Sequence, residues 1–350
     1  MIVFAPRKAA VIFLSAVLAI PLARLAADTF EKLPVDQLID QDHWKRARSL
    51  VAERLRANPN DARANYWSSK IAENFNDIDG SVAPAERAVA LDGGTADYHA
   101  QLAEVYALMA QKAGLLKQIN YVRRLRHELD TALEIDHKNL DALLVSTMFH
   151  WRAPAVAGGD KKKALELTEE IIRVYPSWGY LAQAKLYQDD DLRLTRNALE
   201  NAVRAQPPNY LARTSLAEFY CTKSNPPRLT DAEKLAKAAL AQDPSRAGAY
   251  RMLAFVYAAE DRDEDLDATL AAGEKACPDD LSPYYYAAKA LIDGDKDAAR
   301  AERYLRRYLS QPPEARAPGW PEAKTLLAQA THKELRTISQ VLWFPLVAGQ

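Results

Sequence analysis

The chain has 350 residues, 49% of them hydrophobic and 27% charged, an ordinary composition for a soluble globular protein. Its formal net charge of −1 gives no electrostatic basis for gripping nucleic acid. Alanine is abundant, glycine is scarce at 12 residues, and no convincing strand alternation is visible, which together favour an all-α chain.

Residues 1–27 form a segment of their own. Arg7-Lys8 is a positive start, Ala9 to Leu22 is an apolar run of 14 residues, and Leu25-Ala26-Ala27 offers a small residue for cleavage. This is the pattern of a secretory signal peptide. A spanning helix needs about 20 apolar residues, and Arg24 closes this run early. The expectation is an exported, periplasmic protein. The alternative is an inner-membrane anchor formed by residues 9–22, in which case the chain contacts the membrane there. No cysteine follows the run, which excludes a lipoprotein. Cleavage removes Arg7, Lys8 and Arg24 with no acidic residue, taking the formal charge from −1 to −4.

Residues 28–61 read as N-terminal capping helices. Asp28 to Gln41 is a short leader helix with an irregular start at Pro34. His43 to Ala57 places Trp44, Ala47, Leu50, Val51 and Leu55 on one face, with Asp42 expected as the N-cap.

Residues 62–314 repeat one sentence. Ser245 to Asp280 shows it most clearly: Tyr250, Leu253, Ala254 and Tyr257 share one face of a first helix. Charged residues interrupt, Leu266, Leu270 and Ala271 follow on a second helix, and Pro278 stops it. Equivalent stops fall at Pro59, Gly93, His137, Pro176, Pro207, Pro244, Pro278 and Pro312, at spacings of 34, 44, 39, 31, 37, 34 and 34 residues. First helices read His99…Leu102-Ala103…Tyr106, Arg213…Leu216-Ala217…Tyr220 and Tyr250…Leu253-Ala254…Tyr257. Second helices carry small residues at the expected crossings: Ala85, Ala88, Ala132, Ala164, Ala198, Ala202, Ala232, Ala236 and Ala239.

The period and these residues resemble the tetratricopeptide (TPR) repeat, over roughly residues 40–315. The resemblance implies a right-handed TPR solenoid of about seven helix-turn-helix repeats with capping helices. Stacked pairs bury a continuous core that no single pair can bury. It also implies a concave groove lined by first helices and a protein or peptide partner, with no cofactor.

Within the array, Ala62 to Leu91 is the first repeat. Ala96 to Asp136 is the second and is long, with its first helix running into Lys112 and Gly114 interrupting. In the third, Asn139 to Pro176, Pro154 stops one helix, Gly158-Gly159 turns the chain, and Asp160 caps the next. That Pro…Gly-Gly-Asp-Lys-Lys-Lys-Ala loop, with Ala113-Gly114-Leu115 upstream, resembles exported bacterial TPR proteins, some of them subunits accompanying periplasmic solute-binding transport systems. The fourth repeat turns at Asp189-Asp190-Asp191, the fifth has a longer turn at Thr222 to Thr230, and the seventh, Leu281 to Pro312, is rich in tyrosine. Residues 315–350 read as a closing helix, Trp320 to Ile338, and an apolar tail, Val341 to Val347, that packs on the last repeat or meets a partner.

No catalytic signature is present: no His-Glu-x-x-His, no Gly-x-Ser-x-Gly and no phosphate loop. The six histidines have no ligand spacing, so no metal is expected. The aspartate run reads as a solvated turn, since it lacks the spaced loop of a calcium site. Cys221 and Cys277 are either two small buried thiols or, in an oxidising compartment, a bridge.

The candidate groove is therefore the functional surface. Counting from each repeat start, its inner positions are Tyr66, Lys70, Glu104, Met148, Trp151, Tyr180, Tyr187, Glu218, Arg251, Phe255, Tyr285 and Lys289. Exposed aromatics would anchor a peptide and charges orient it, against the plainer reading of inter-repeat packing. TPR domains that grip a C-terminal carboxylate carry a Lys and Asn pair where this chain has Tyr66 and Lys70, so that mode is not expected. The sequence thus points to a non-enzymatic scaffold for a protein or peptide in the bacterial cell envelope. The alternative is an accessory subunit of a periplasmic solute transport system, contacting a solute-binding protein or holding a small apolar ligand.

Overall fold

The structure is a computed structural model that describes residues 34–342, with side chains described up to Thr331. The signal segment, the first residues of the leader helix and the tail from Trp343 lie outside the described residues.

Among the described residues the chain is all α-helical. Two short leaders, α1 (Val35–Asp40) and α2 (Trp44–Ala57), precede seven helix pairs. These are α3 (Ala62–Asn74) with α4 (Ile78–Leu91), α5 (Ala96–Lys112) with α6 (Leu115–Ile135), and α7 (Leu140–Arg152) with α8 (Lys161–Val174). They continue as α9 (Pro176–Tyr187) with α10 (Leu192–Arg204), α11 (Tyr210–Thr222) with α12 (Leu229–Gln242), α13 (Ala247–Ala259) with α14 (Asp263–Ala276), and α15 (Ser282–Asp293) with α16 (Ala298–Tyr308). Helix α17 (Trp320–Leu342) closes the array.

Local chemistry sets these boundaries. The side chains of Asp61, Asp77, Asn139, Asp160, Asp191, Asn209 and Asp297 each accept from a backbone N–H of the helix they open. Each such cap stabilises its helix by about 1 kcal/mol. In the third repeat Gly158 takes φ +96°, and a Cβ on Gly159 would lie 1.7 Å from the Ala153 carbonyl, so both glycines are required. Asp42 does not cap α2. It sits at φ +64° and its carboxylate is taken by Arg246 at 2.5 Å, while His43 precedes the helix without a side-chain capping bond.

The crossings are as narrow as the alanines foretold. All nine second-helix alanines named above are 3% exposed or less. The Leu, Ala and Tyr of the first-helix pattern are buried with them. Each pattern tyrosine also makes a bond that periodicity does not reveal. Tyr106, Tyr220 and Tyr257 donate to Glu86, Glu200 and Glu233 on the second helix of the preceding pair, at 2.8, 2.9 and 3.1 Å. Arg124, Arg228 and Arg262 stack on those three rings and pair with the same three carboxylates. One Glu–Tyr–Arg unit therefore ties successive repeats together at three joints.

The array also bends back on its own beginning. Lys45 Nζ donates to the carbonyls of Asp279 and Pro312 at 2.6 and 2.5 Å, and Arg46 pairs with Asp279 at 2.5 Å. The Lys45 amide donates to Glu314 Oε1 at 3.0 Å. Arg316 donates its amide to the Asn74 carbonyl and its guanidinium to Asn74 Oδ1, and stacks over Trp44. Together with Asp42–Arg246, these contacts form a clasp joining the leader helices to the sixth and seventh repeats and to the loop after them.

Candidate binding cavity

Inside the clasp lies a cavity of about 2100 Å3. Its lining starts at Asp40 and Trp44, passes through the first helices of repeats 1 to 3, one side of α6 from Leu115 to Asp130, the turn at Val156 and the start of α9, and returns at Arg246, beside Asp42. Arg316 reaches it from the far side of the clasp. A smaller concavity of about 430 Å3 shares Arg316 and is lined by Glu218, Tyr285, Tyr286, Lys289 and Glu322.

The first-helix positions that face inward come together at one end of the large cavity. Tyr66, Lys70, Glu73, Glu104 and Asp141 all line it. Lys70 pairs with Asp141 at 2.7 Å and reaches the Tyr66 hydroxyl at 3.2 Å, linking repeat 1 directly to repeat 3. Burial works against the Lys70 charge, but Asp141 beside it outweighs that and holds the ammonium pKa above its ordinary value. Burial likewise lifts the Tyr66 phenol to about 12. Glu104 is pushed up to about 8, by desolvation first and then by the neighbouring Glu73 and Asp141 carboxylates. Both effects favour the protonated form of Glu104 at the cavity wall. Met148, Leu144, Val145 and Phe149 continue the lining as an apolar stretch.

The remaining inner positions divide. Glu218, Tyr285 and Lys289 line the smaller concavity, where crowding walls raise the Glu218 carboxyl by desolvation although solvent reaches it. Lys289 is paired with Asp293 at 2.6 Å. Phe255 is a core residue, 7% exposed. Arg251 is not free to orient a guest, because Asp280 at 2.5 Å and the Ser282 hydroxyl hold it. Trp151, Tyr180 and Tyr187 line neither hollow; Trp151 and Tyr187 meet edge-on at 6.0 Å, with Lys161 over the Trp151 ring. At Trp151, Arg251 and Phe255, the position that faces inward elsewhere is spent on packing.

Sequence reasoning missed Trp44, Asn74, Arg246 and Arg316, since contacts between residues more than 200 positions apart leave no local periodicity. Cys221 and Cys277 are both free and buried, with the Cys277 thiol against the Ser245 carbonyl. Burial pushes the Cys221 thiol up to about 12. Among the described residues no group of three or more His, Cys, Asp or Glu is placed to hold a metal ion, and no helix is long and apolar enough to cross a membrane.

Seven consecutive helix pairs, alanine-lined crossings and a Leu-Ala…Tyr face on the first helices describe one architecture. The fold is a TPR-type solenoid. No protein-family model and no curated protein matches the sequence. Among solved structures, the chain is similar to a thermophilic TPR protein of Thermus thermophilus, at 17% identity and TM-score 0.45, over 56% of this chain and 97% of that one. It is similar also to a TPR protein of Parabacteroides merdae, at 11% identity and TM-score 0.40, over 88% and 99%. A third likeness, to the Cut9–Hcn1 hetero-tetramer of APC/C, has 15% identity and TM-score 0.44, over 85% of this chain and 54% of that one.

Proposed function

We propose that this solenoid is a non-enzymatic scaffold that holds a protein or peptide segment in its inner cavity. The observation that carries this reading is the cavity itself. At about 2100 Å3 it exceeds the roughly 300–1,000 Å3 of small-molecule sites. Its wall alternates a polar end, Lys70, Glu104 and Asp141, with an apolar stretch around Met148, as an extended segment with mixed side chains requires. The test is photocrosslinking of the full chain in its own cells, with a photoreactive residue at Tyr66 or at Met148. Crosslinks from both positions to one protein support the reading. Crosslinks confined to the chain itself, or scattered over unrelated proteins, overturn it.

The second reading, an accessory subunit of a solute transport system, is favoured by the partial enclosure of the cavity. It requires that the crosslinked protein be a solute-binding protein or that a small apolar ligand co-purify. We place the chain in the bacterial cell envelope on the strength of the Arg7-Lys8 start and the apolar run to Leu22. A reporter active only outside the cytoplasm, fused after residue 33, would remain silent if this placement is wrong.

A further inference from the structure

We propose that the projecting end of the second repeat, with the adjoining turn of the third, is a contact surface for an anionic lipid membrane. Helices α5 and α6 have 17 and 21 residues, whereas the helices of the other six pairs have 11 to 14. At 1.5 Å per residue the extra turns carry their tip about 6–10 Å further out. That tip holds Leu115, Leu116 and Ile119, exposed by 72%, 85% and 61%, and on the turn of the third repeat Val156 is exposed by 99%. These are the four most exposed large apolar side chains among the described residues. The turn packs on the same helix further along, where Arg126 of α6 lies against Gly158, two residues past Val156.

The charge along this end of α5 and α6 is predominantly basic. Between Glu104 and Glu128 the sequence holds Lys112, Lys117, Arg123, Arg124 and Arg126 and no acidic residue. Arg124 and Lys112 are paired with Glu86 and Asp79, but Lys117 and Arg123 pair with no carboxylate among the described residues. Lys161, Lys162 and Lys163 follow the Val156 turn after Asp160, with Lys161 over Trp151 and Lys162 paired with Glu166. Apolar side chains that enter the headgroup boundary, ringed by basic ones that meet anionic lipid, are the composition of an interfacial element.

The shape favours lipid over an acidic protein. Leu115 and Leu116 are consecutive, so they point about 100° apart on the helix; Leu116 and Lys117 lie outside the cavity lining, whereas Leu115, Ile119, Arg123 and Val156 sit on its rim and lining. A tip that is apolar in several directions suits a deformable medium better than a rigid groove, which takes one stripe.

The test uses the full chain carrying Leu116→Cys, labelled with an environment-sensitive dye; Cys221 and Cys277 are buried and stay unlabelled. Phosphatidylglycerol vesicles are expected to blue-shift the dye, and phosphatidylcholine vesicles to leave it unchanged. Lys117→Glu or Arg123→Glu is expected to lower partitioning roughly tenfold each, and Ile119→Asp to lower it at least as much. Circular dichroism checks that each variant keeps its helix content. Vesicle binding with no dye shift overturns the proposal and assigns the binding to another part of the chain, such as residues 1–33 or the tail after Val341. A shift produced by polyglutamate but not by vesicles overturns it in favour of an acidic protein partner. A dye already shifted before vesicles are added means that this chain or a second copy covers the tip, and overturns it as well.

Discussion

Glu314 is the most informative single position in the clasp. It is 3% exposed, and its Oε1 accepts from the amides of Lys45 and Ala315 at 3.0 Å each. Burial, reinforced by nearby Asp280, pushes its pKa from 4.5 to about 8. In the closed clasp Glu314 therefore holds a proton that it releases to solvent when the clasp opens above pH 4.5. A folded-state pKa raised in this way gives stability that is full below about pH 4.5 and is lost as pH rises through 8. Between pH 6.5 and 8 the linkage amounts to about 15-fold in the closing equilibrium, roughly 1.6 kcal/mol. Buried His43, lowered to about 4 by desolvation and by Arg46, acts in the opposite sense, but only below pH 6.5. The assay is hydrogen exchange of the α2 amides, the Lys45 amide first, corrected for intrinsic rate. Protection should fall by about 15-fold from pH 6.5 to 8 in the wild type and stay flat in Glu314→Gln, which keeps the acceptor and has no charge to release. Equal slopes in the two proteins would refute the reasoning.

Four further outcomes are expected. Asp280→Ala strands the Arg251 guanidinium that it meets at 2.5 Å; urea unfolding should show a loss of about 3–5 kcal/mol, and a loss below about 1 kcal/mol would contradict this. Arg46→Glu sets two carboxylates against each other at Asp279, and the double variant with Asp279→Lys should recover about 1 kcal/mol of coupling in a mutant cycle. Gly179→Ala drives a Cβ to within 2.5 Å of the Ile172 backbone, where α8 meets α9, and should lower stability by about 1–3 kcal/mol in thermal melts. Because Cys221 and Cys277 are free and buried, a thiol reagent should modify neither in the native protein and both in urea; loss of one titratable pair on air oxidation would argue otherwise.

The repeat array was legible because each unit writes the same physics into a short stretch. Ala232, Ala236 and Ala239 are small because α12 crosses its neighbour closely, and the spacing of such residues with Leu216-Ala217…Tyr220 needs only local sequence to be seen. Caps such as Asp160 are legible for the same reason, their bond spanning three residues. The groove was legible only in part. Tyr66, Lys70 and Glu104 face the cavity because the first three repeats curve around it, whereas Arg251 and Phe255, at matching places in a later repeat, are consumed by Asp280 and by the core. Which inner positions stay open depends on curvature, and curvature is set by contacts such as Lys70–Asp141 and Arg46–Asp279. Asp42 shows the limit well. Its sequence position suggests a helix cap, and only the arrival of Arg246, 204 residues later, redirects it.

The clasp also has a consequence in time. Helix pairs that touch only their neighbours can form one after another as a chain emerges, N-terminus first. The clasp cannot, because Lys45 and Asn74 wait for Pro312, Glu314 and Arg316. Until those last residues of the array have been made, the cavity has walls but no closure. A guest that must be encircled can therefore enter while the chain is still folding, whereas one arriving later meets a clasp that has to be unfastened first.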